Sequence, residues 1–155
     1  MIKLILSAVL VAVMTGCAMG AGELAAPKLL VNVKAADNIN PNVEDSPSPV
    51  ELRIFQLSKP DAFSRADFLQ IFEQEQGTLK AELLQVRRLD SIRPGEQRQE
   101  NLPLAAGTEY IGVIAGFANY REAKNKVLYK PLVVHGAAIN IDLDGINLSV
   151  SGEEE

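Results

Sequence analysis

Tryptophan is absent from this 155-residue chain, Phe and Tyr together make up only 5% of it, and Cys and His occur once each. Each shortage excludes something. With few aromatics, aliphatic side chains must supply the core. A lone histidine, His135, rules out a multi-histidine metal site, so no metal ligands are assigned. A lone cysteine, Cys17, cannot close an internal disulfide, and as a free thiol in an oxidising compartment it would be a liability. There is no Walker loop, no dinucleotide fingerprint and no G-x-S-x-G elbow. Carboxylates are plentiful, yet no candidate strand sets a pair of them in an apolar surrounding of the kind that separates acid and base roles. An enzyme is not expected. The formal charge of −5 gives no electrostatic reason to seek nucleic acid.

What is present begins with the leader. Lys3 provides a positive start, residues 4–13 are uncharged and apolar, and Met14-Thr15-Gly16 steps down in size to Cys17. That is the layout of a secretory signal peptide over residues 1–16. A transmembrane helix is the competing reading, but the stretch 2–20 is barely long enough and is interrupted by Lys3, Gly16 and Gly20. A cysteine one residue past the small-residue site resembles the lipobox of bacterial lipoproteins. The resemblance implies that Cys17 carries a covalent lipid and becomes the mature N-terminus, with no other cofactor. Ala18, being other than Asp, implies sorting to the outer membrane, with the domain facing the periplasm. Cleavage there leaves 139 residues with formal side-chain charge −6, from 14 basic and 20 acidic groups.

After the leader, residues 17–27 are rich in Gly and Ala and read as a lipidated tether. Residues 28–151 form the folded domain, and 152–155 an acidic tail. Leu29, Val31 and Val33 alternate with polar neighbours as in a half-buried strand. Residues 36–49 follow, with three prolines, three asparagines, three acids and almost nothing to bury. Fourteen residues is long for a connection in a small domain, which fits a functional loop and a solvated spacer equally. Val50, Leu52 and Ile54 make a second strand, whose apolar phase then slips to Phe55 and Leu57. The slip points to a β-bulge or to a strand end covered on both faces.

A helical insertion comes next, with Ser64 as N-cap, Asp67 in the capping-box position, a stripe of Phe68, Leu69, Ile71 and Phe72, and Gly77 as the stop. The stripe reads as packing against the sheet. Thr78 caps one further turn that carries Leu79 and Leu83. Strands are then expected over 86–92, 97–102 as an exposed edge, 109–117 as a segment buried on both sides, and 127–134, where Pro131 argues for an edge. Gly112 and Gly116 leave room for close neighbours. Two alternating runs around Asp144-Gly145 complete a hairpin. Seven or eight short strands with one helical excursion make an all-β, two-sheet sandwich pattern.

Taken in order, Cys17, the polar loop ending Ser46-Pro47-Ser48-Pro49, the strand Val50-Glu51-Leu52-Arg53-Ile54-Phe55-Gln56-Leu57, the helix with Phe63, Asp67 and Phe68, Arg93-Pro94-Gly95-Glu96 and Tyr110-Ile111-Gly112-Val113-Ile114-Ala115-Gly116-Phe117 resemble the type VI secretion outer-membrane lipoproteins of the TssJ family. Nearly the whole mature chain is covered. One departure is Lys124-Asn125-Lys126-Val127, where members of that family often carry Trp-Arg. The resemblance implies a transthyretin-like sandwich with a small helical insertion. It also implies a scaffold role, in which the lipoprotein holds the periplasmic C-terminal region of an inner-membrane TssM-type protein, with a third component, as the base of the apparatus. In the family the loop between the first two strands is central to that contact. It transfers here to Asp37, Asn38, Asn40, Pro41, Asn42, Glu44, Asp45, Ser46 and Pro47. Deleting residues 40–46 is then expected to abolish partner capture and leave the sandwich folded.

Two other classes compete. One is a different lipid-anchored binding module, such as a pilotin or an assembly factor. The other is a transthyretin-fold hydrolase, a class that needs several histidines at one site where this chain has only His135. No nucleic acid and no small-molecule substrate are expected as partners.

Overall fold

The computed structural model describes residues 27–131 and 137–152, and turns the alternating segments into strands of two four-stranded sheets. In chain order these are β1 (Lys28–Ala35), β2 (Val50–Leu57), the helices α1 (Asp61–Arg65) and α2 (Phe68–Leu79), β3 (Leu83–Ile92), β4 (Gln97–Pro103), β5 (Tyr110–Ala115), β6 (Lys126–Tyr129), β7 (Ala137–Asp144) and β8 (Asn147–Gly152). One sheet runs β4-β1-β7-β8 and the other β3-β2-β5-β6. All neighbours are antiparallel except β1 and β7. The 97–102 stretch does form an edge, and 127–134 contributes an edge strand that stops at Tyr129, two residues short of Pro131. Cys17, His135, the leader, the tether up to residue 26 and the last three glutamates lie outside the described residues.

Two apolar cores result. Leu29, Val31 and Val33 from β1 meet Leu52, Ile54, Ile111, Val113, Ile139, Ile141 and Leu148 between the sheets. A second cluster on the outer side of the β3-β2-β5-β6 sheet joins Phe55, Leu57 and Ile114 to Phe63, Ile71 and Leu79 of the helical insertion. Each fully buried side chain of this kind stabilises the fold by roughly 1.5–3 kcal/mol. The phase slip in β2 now has its cause. Val50, Leu52 and Ile54 face one core and Phe55 and Leu57 the other, and the register with β3 shifts at both ends of the strand.

Gly112 in β5 and Gly116 just beyond it let the helices approach. A Cβ on Gly112 would lie 2.5 Å from the Phe63 ring, and one on Gly116 would lie 3.1 Å from Phe72. Against the Phe72 ring sits a charged cluster. Arg53 leaves β2 to donate to the Phe72 carbonyl at 2.7 Å, lies 4.1 Å from that ring's centroid, and pairs with Glu51 and Glu75. Glu75 also takes Arg88. A charge this buried is tolerated because two carboxylates and a carbonyl face it, and no buried side-chain polar atom among the described residues lacks a partner. Lys126 on β6 donates to the carbonyls of Phe63, Ser64 and Ala66, closing the end of α1. Burial draws its pKa below the ordinary lysine value, and Asp67 opposes the shift.

The insertion differs from the expected single helix. Ser64 lies inside α1, which starts after Pro60, and Ala66 is extended. The reciprocal capping box is Asp67 with Gln70, at 2.8 and 2.9 Å, so α2 starts three residues later than expected. The interruption falls not at Gly77 but at Gln74, whose φ of −138° and ψ of 55° are non-helical; beyond this kink helical turns resume as far as Leu79, which is fully buried. The chain then turns at Lys80, with φ +50°, into a short 3₁₀ turn over Lys80–Glu82.

Gly112→Ala should push the Phe63 ring off β5 and lower unfolding stability by about 1–3 kcal/mol, the usual cost of overpacking. Urea titration would read this as a lower midpoint at unchanged slope.

Candidate functional site

The crossover at 36–49 takes the chain from one sheet to the other across the end of the sandwich, and its asparagines decide its shape. Asn40 is 6% exposed and has φ +48°, in the left-handed region that asparagine tolerates better than most residues. Its side chain donates to the Pro49 carbonyl at 2.7 Å and accepts from the Ala118 amide at 2.7 Å. Its own amide donates to Gly145 at 2.8 Å, and its carbonyl accepts from the Ser48 hydroxyl. One residue thus joins both ends of the loop to the 116–125 loop and to the β7–β8 turn. Beside it Ile39 is fully buried.

The expectation that this segment has almost nothing to bury is therefore corrected: Ile39 and Asn40 are part of the interior. So is the expectation that removing 40–46 spares the fold, since the deletion would take Asn40 with it.

The remaining residues build the tip. Asn42 accepts from the amides of Glu44 (2.9 Å) and Ser46 (3.0 Å), and its own amide donates to the Ser46 carbonyl at 2.9 Å. This side-chain closure of a turn leaves Asp45 at φ +58° and lifts Val43 wholly into solvent, at 103% relative exposure. Asn38 donates to the Asp144 carboxylate at 2.8 Å and accepts from the Gly145 amide at 3.1 Å, fastening the loop to the β7–β8 turn. Gly145, with φ +58° at the first of the two loop positions, has the sign that turn requires.

An open groove of about 680 Å³ lies between these pieces. The loop contributes Asn38, Pro41, Asn42, Val43 and Asp45. Ala118 and Asn119 come from the 116–125 loop, and the other wall is the turn from Asp144 to Asn147. Val43, Pro41, Ala118 and Ile146 give it apolar surface, and Asp45 and Asp144 give it an acidic lip. Asp37, Glu44, Ser46 and Pro47 do not line it. Asp37 turns the other way, against Gly95, where its carboxylate would meet an added Cβ at 2.5 Å. Next to it Glu96 accepts from the Arg93 amide at 2.8 Å, and this bond holds the Glu96 carboxyl below its ordinary pKa; burial opposes the shift and Arg98 adds to it. Sequence reading missed Val43 and everything outside the loop. Val43 had a signal, as the single exposed aliphatic in a polar run. Ala118, Asn119 and Ile146 had none, because only the closing of the sheets brings them near.

A family model for the type VI secretion lipoproteins (VasD, EvfM, TssJ) matches residues 27–146. The chain belongs to this family. No curated protein matches the sequence. Solved structures agree on the fold. TssJ1 from Pseudomonas aeruginosa superposes with a TM-score of 0.77 at 24% identity, covering 84% of this chain and 98% of that one. Serratia marcescens Lip, described as a membrane-bound component of the type VI secretion system, gives 0.73 at 18% identity, with 84% and 99% covered. A chain in a structure described as "Type VI membrane complex" gives 0.71 at 21% identity, with 81% and 98% covered.

This type VI secretion lipoprotein accordingly shares the two-sheet β-sandwich with a small helical insertion, and its family is one of structural components rather than enzymes. The family is one of membrane-anchored lipoproteins, and no described helix is long and apolar enough to cross a membrane.

Asn40→Ala should leave the Pro49 carbonyl and the Ala118 amide without partners and cost about 1–3 kcal/mol for each. Asn40→Asp, which can still accept from Ala118, should fall between Ala and the parent in urea unfolding. Equal stability of all three would remove Asn40 from this role.

Proposed function

We propose that this lipoprotein is a lipid-anchored scaffold of the type VI secretion membrane complex, held by Cys17 in the outer membrane, whose end groove captures the periplasmic C-terminal region of a TssM-type inner-membrane protein. The observation that carries the reading is the placement of the groove. The Pro27 carbonyl accepts from the Leu104 amide at 2.9 Å at the start of β1, and Pro103 beside Lys28 accepts from Gln56. The 36–49 crossover leaves the other end of β1, seven residues on from Lys28, which at a strand rise of about 3.3 Å is some 23 Å away. A tether entering at Pro27 therefore presents the groove on the end opposite to its attachment, toward whatever approaches from the other membrane.

A further support comes from a structure described as "T6SS protein TssM C-terminal domain (869-1107) from EAEC", in which the matched chain gives a TM-score of 0.65 at 21% identity, with 80% of this chain covering 97% of that one.

The chain divides as a leader at 1–16, a lipidated tether at 17–27, the sandwich at 28–151 and an acidic tail. Two or more acyl chains on Cys17, at about 0.8 kcal/mol for each buried methylene, would make attachment effectively permanent. Within the loop, Val43, Pro41, Asn42 and Asp45 contact the partner, while Asn38 and Asn40 hold the groove in shape. A groove fixed by these asparagines loses little conformational entropy on binding. Its acidic lip favours a partner segment carrying Lys or Arg beside an apolar side chain.

Cys17→Ser should move the protein from the membrane fraction to the soluble periplasm; continued flotation with membranes would refute the anchor. Val43→Asp, at a side chain that packs against nothing, should weaken capture of the TssM-type region by about tenfold or more without changing the melting temperature. Parent-level binding by this folded variant would remove the groove from the contact.

A further inference from the structure

The 116–125 loop forms one wall of the groove and then runs on to the helical insertion. Its first residue, Gly116, lies beneath Phe72, and Tyr120 stacks on Phe68 at 5.9 Å between ring centroids with planes 23° apart. Phe68 in turn stacks on Phe72 at 5.1 Å. The result is a row of three half-buried rings, Tyr120, Phe68 and Phe72, leading from the groove wall across the start of α2. Phe68 and Phe72 pack against the cluster under the helices, whereas Tyr120 belongs to neither apolar cluster among the described residues and meets the row by stacking on Phe68. Arg121 stands exposed next to it, its guanidinium 5.8 Å from the tyrosine ring.

The backbone here is pinned. Asn125, 8% exposed, donates to the Tyr120 carbonyl at 2.8 Å. Asn119 donates to the Glu122 carboxylate at 2.8 Å, and Asn40 accepts from Ala118. Tyr120 and Arg121 are thus presented on a fixed frame that the buried core does not need.

We infer that the partner seated in the groove also closes over Tyr120 and Arg121, so that one continuous surface runs from Val43 across Asn119 to the Tyr120–Phe68 rings. This rests on the groove reading above and extends it. Three observations favour the same partner here rather than a second one. The strip is continuous with the groove through residues 118–121. A stable contact buries about 800 Å² on each side, more than a fourteen-residue loop supplies by itself. Tyrosine and arginine on a rigid frame are the side chains enriched where binding energy concentrates, since a ring buries area at little entropic cost.

The test measures binding of the full-length, detergent-solubilised lipoprotein and its variants to the purified periplasmic C-terminal region of the TssM-type protein. Tyr120→Ala and Arg121→Glu should each raise Kd about tenfold or more, with Tyr120→Phe close to the parent if the ring face is what binds. Arg121→Glu changes an exposed group and guards against loss of folding as the cause. If both variants bind within about twofold of the parent while Val43→Asp fails to bind, the strip is overturned and the groove stands alone. If Val43→Asp binds normally while Tyr120→Ala fails, the strip stands and the groove reading falls.

Discussion

A crossover between two sheets must carry its chain over the open end of a sandwich without a ladder to satisfy its backbone. Fourteen residues with three prolines cannot do this by repeating structure, and a free loop of that length would have no defined shape. Asn40 solves the problem with one buried side chain. By donating to Pro49 and accepting from Ala118 it joins the two ends of the crossover to a loop of the other sheet. Its backbone reaches the β7–β8 turn as well. The groove is a consequence of that bond set, because its three walls are the three segments that Asn40 connects.

The insertion between β2 and β3 obeys a different constraint. A sheet with one face against its partner sheet still has another face, and in the β3-β2-β5-β6 sheet this face is covered by α1 and α2. Phe63 and Phe72 can come down only because β5 has no side chain at Gly112 and the chain just beyond it has none at Gly116. Arg53 then uses the space between ring and sheet, paired with Glu51 and Glu75. The opposite sheet carries no such cover among the described residues; its outer face bears Asn32 and Asn140, hydrogen-bonded to each other at 3.0 Å, and Gln99, which donates to Asn32 at 2.8 Å. The molecule therefore has one dressed face, one polar face and two distinct ends.

These ends give the scaffold reading its direction. The described chain enters the fold where β1 begins, and the pinned loops lie where β1 ends. Rigidity at that far end suits a component that must hold a partner firmly. Tyr120, where the aromatic row meets the groove wall, adds area to the same end and belongs to neither core cluster.

Much was legible in the sequence because it rests on local periodicity. Alternation at Leu29, Val31 and Val33, and again at Ile139 and Ile141, determines strands with one buried face, and the double phase of Val50 to Leu57 marks a strand with two. Gly112 and Gly116 signalled close neighbours without naming them. The order of weak motifs pointed to the family before any coordinate did. The caps were misread by three residues, since Ser64 and Asp67 both suit an N-cap and only the extended Ala66 between two helices separates them. The polar loop offers almost nothing to bury by composition, which cannot distinguish an asparagine facing water from one facing two backbone groups. The groove's far walls, at Ala118 and Ile146, are remote from the loop along the chain and became its neighbours only when the sheets closed. Local pattern is set by which side chains recur every two residues, and the sequence carries that by itself. Which distant backbone groups Asn40 must satisfy is set by the path of the chain, and only the tertiary structure decides it.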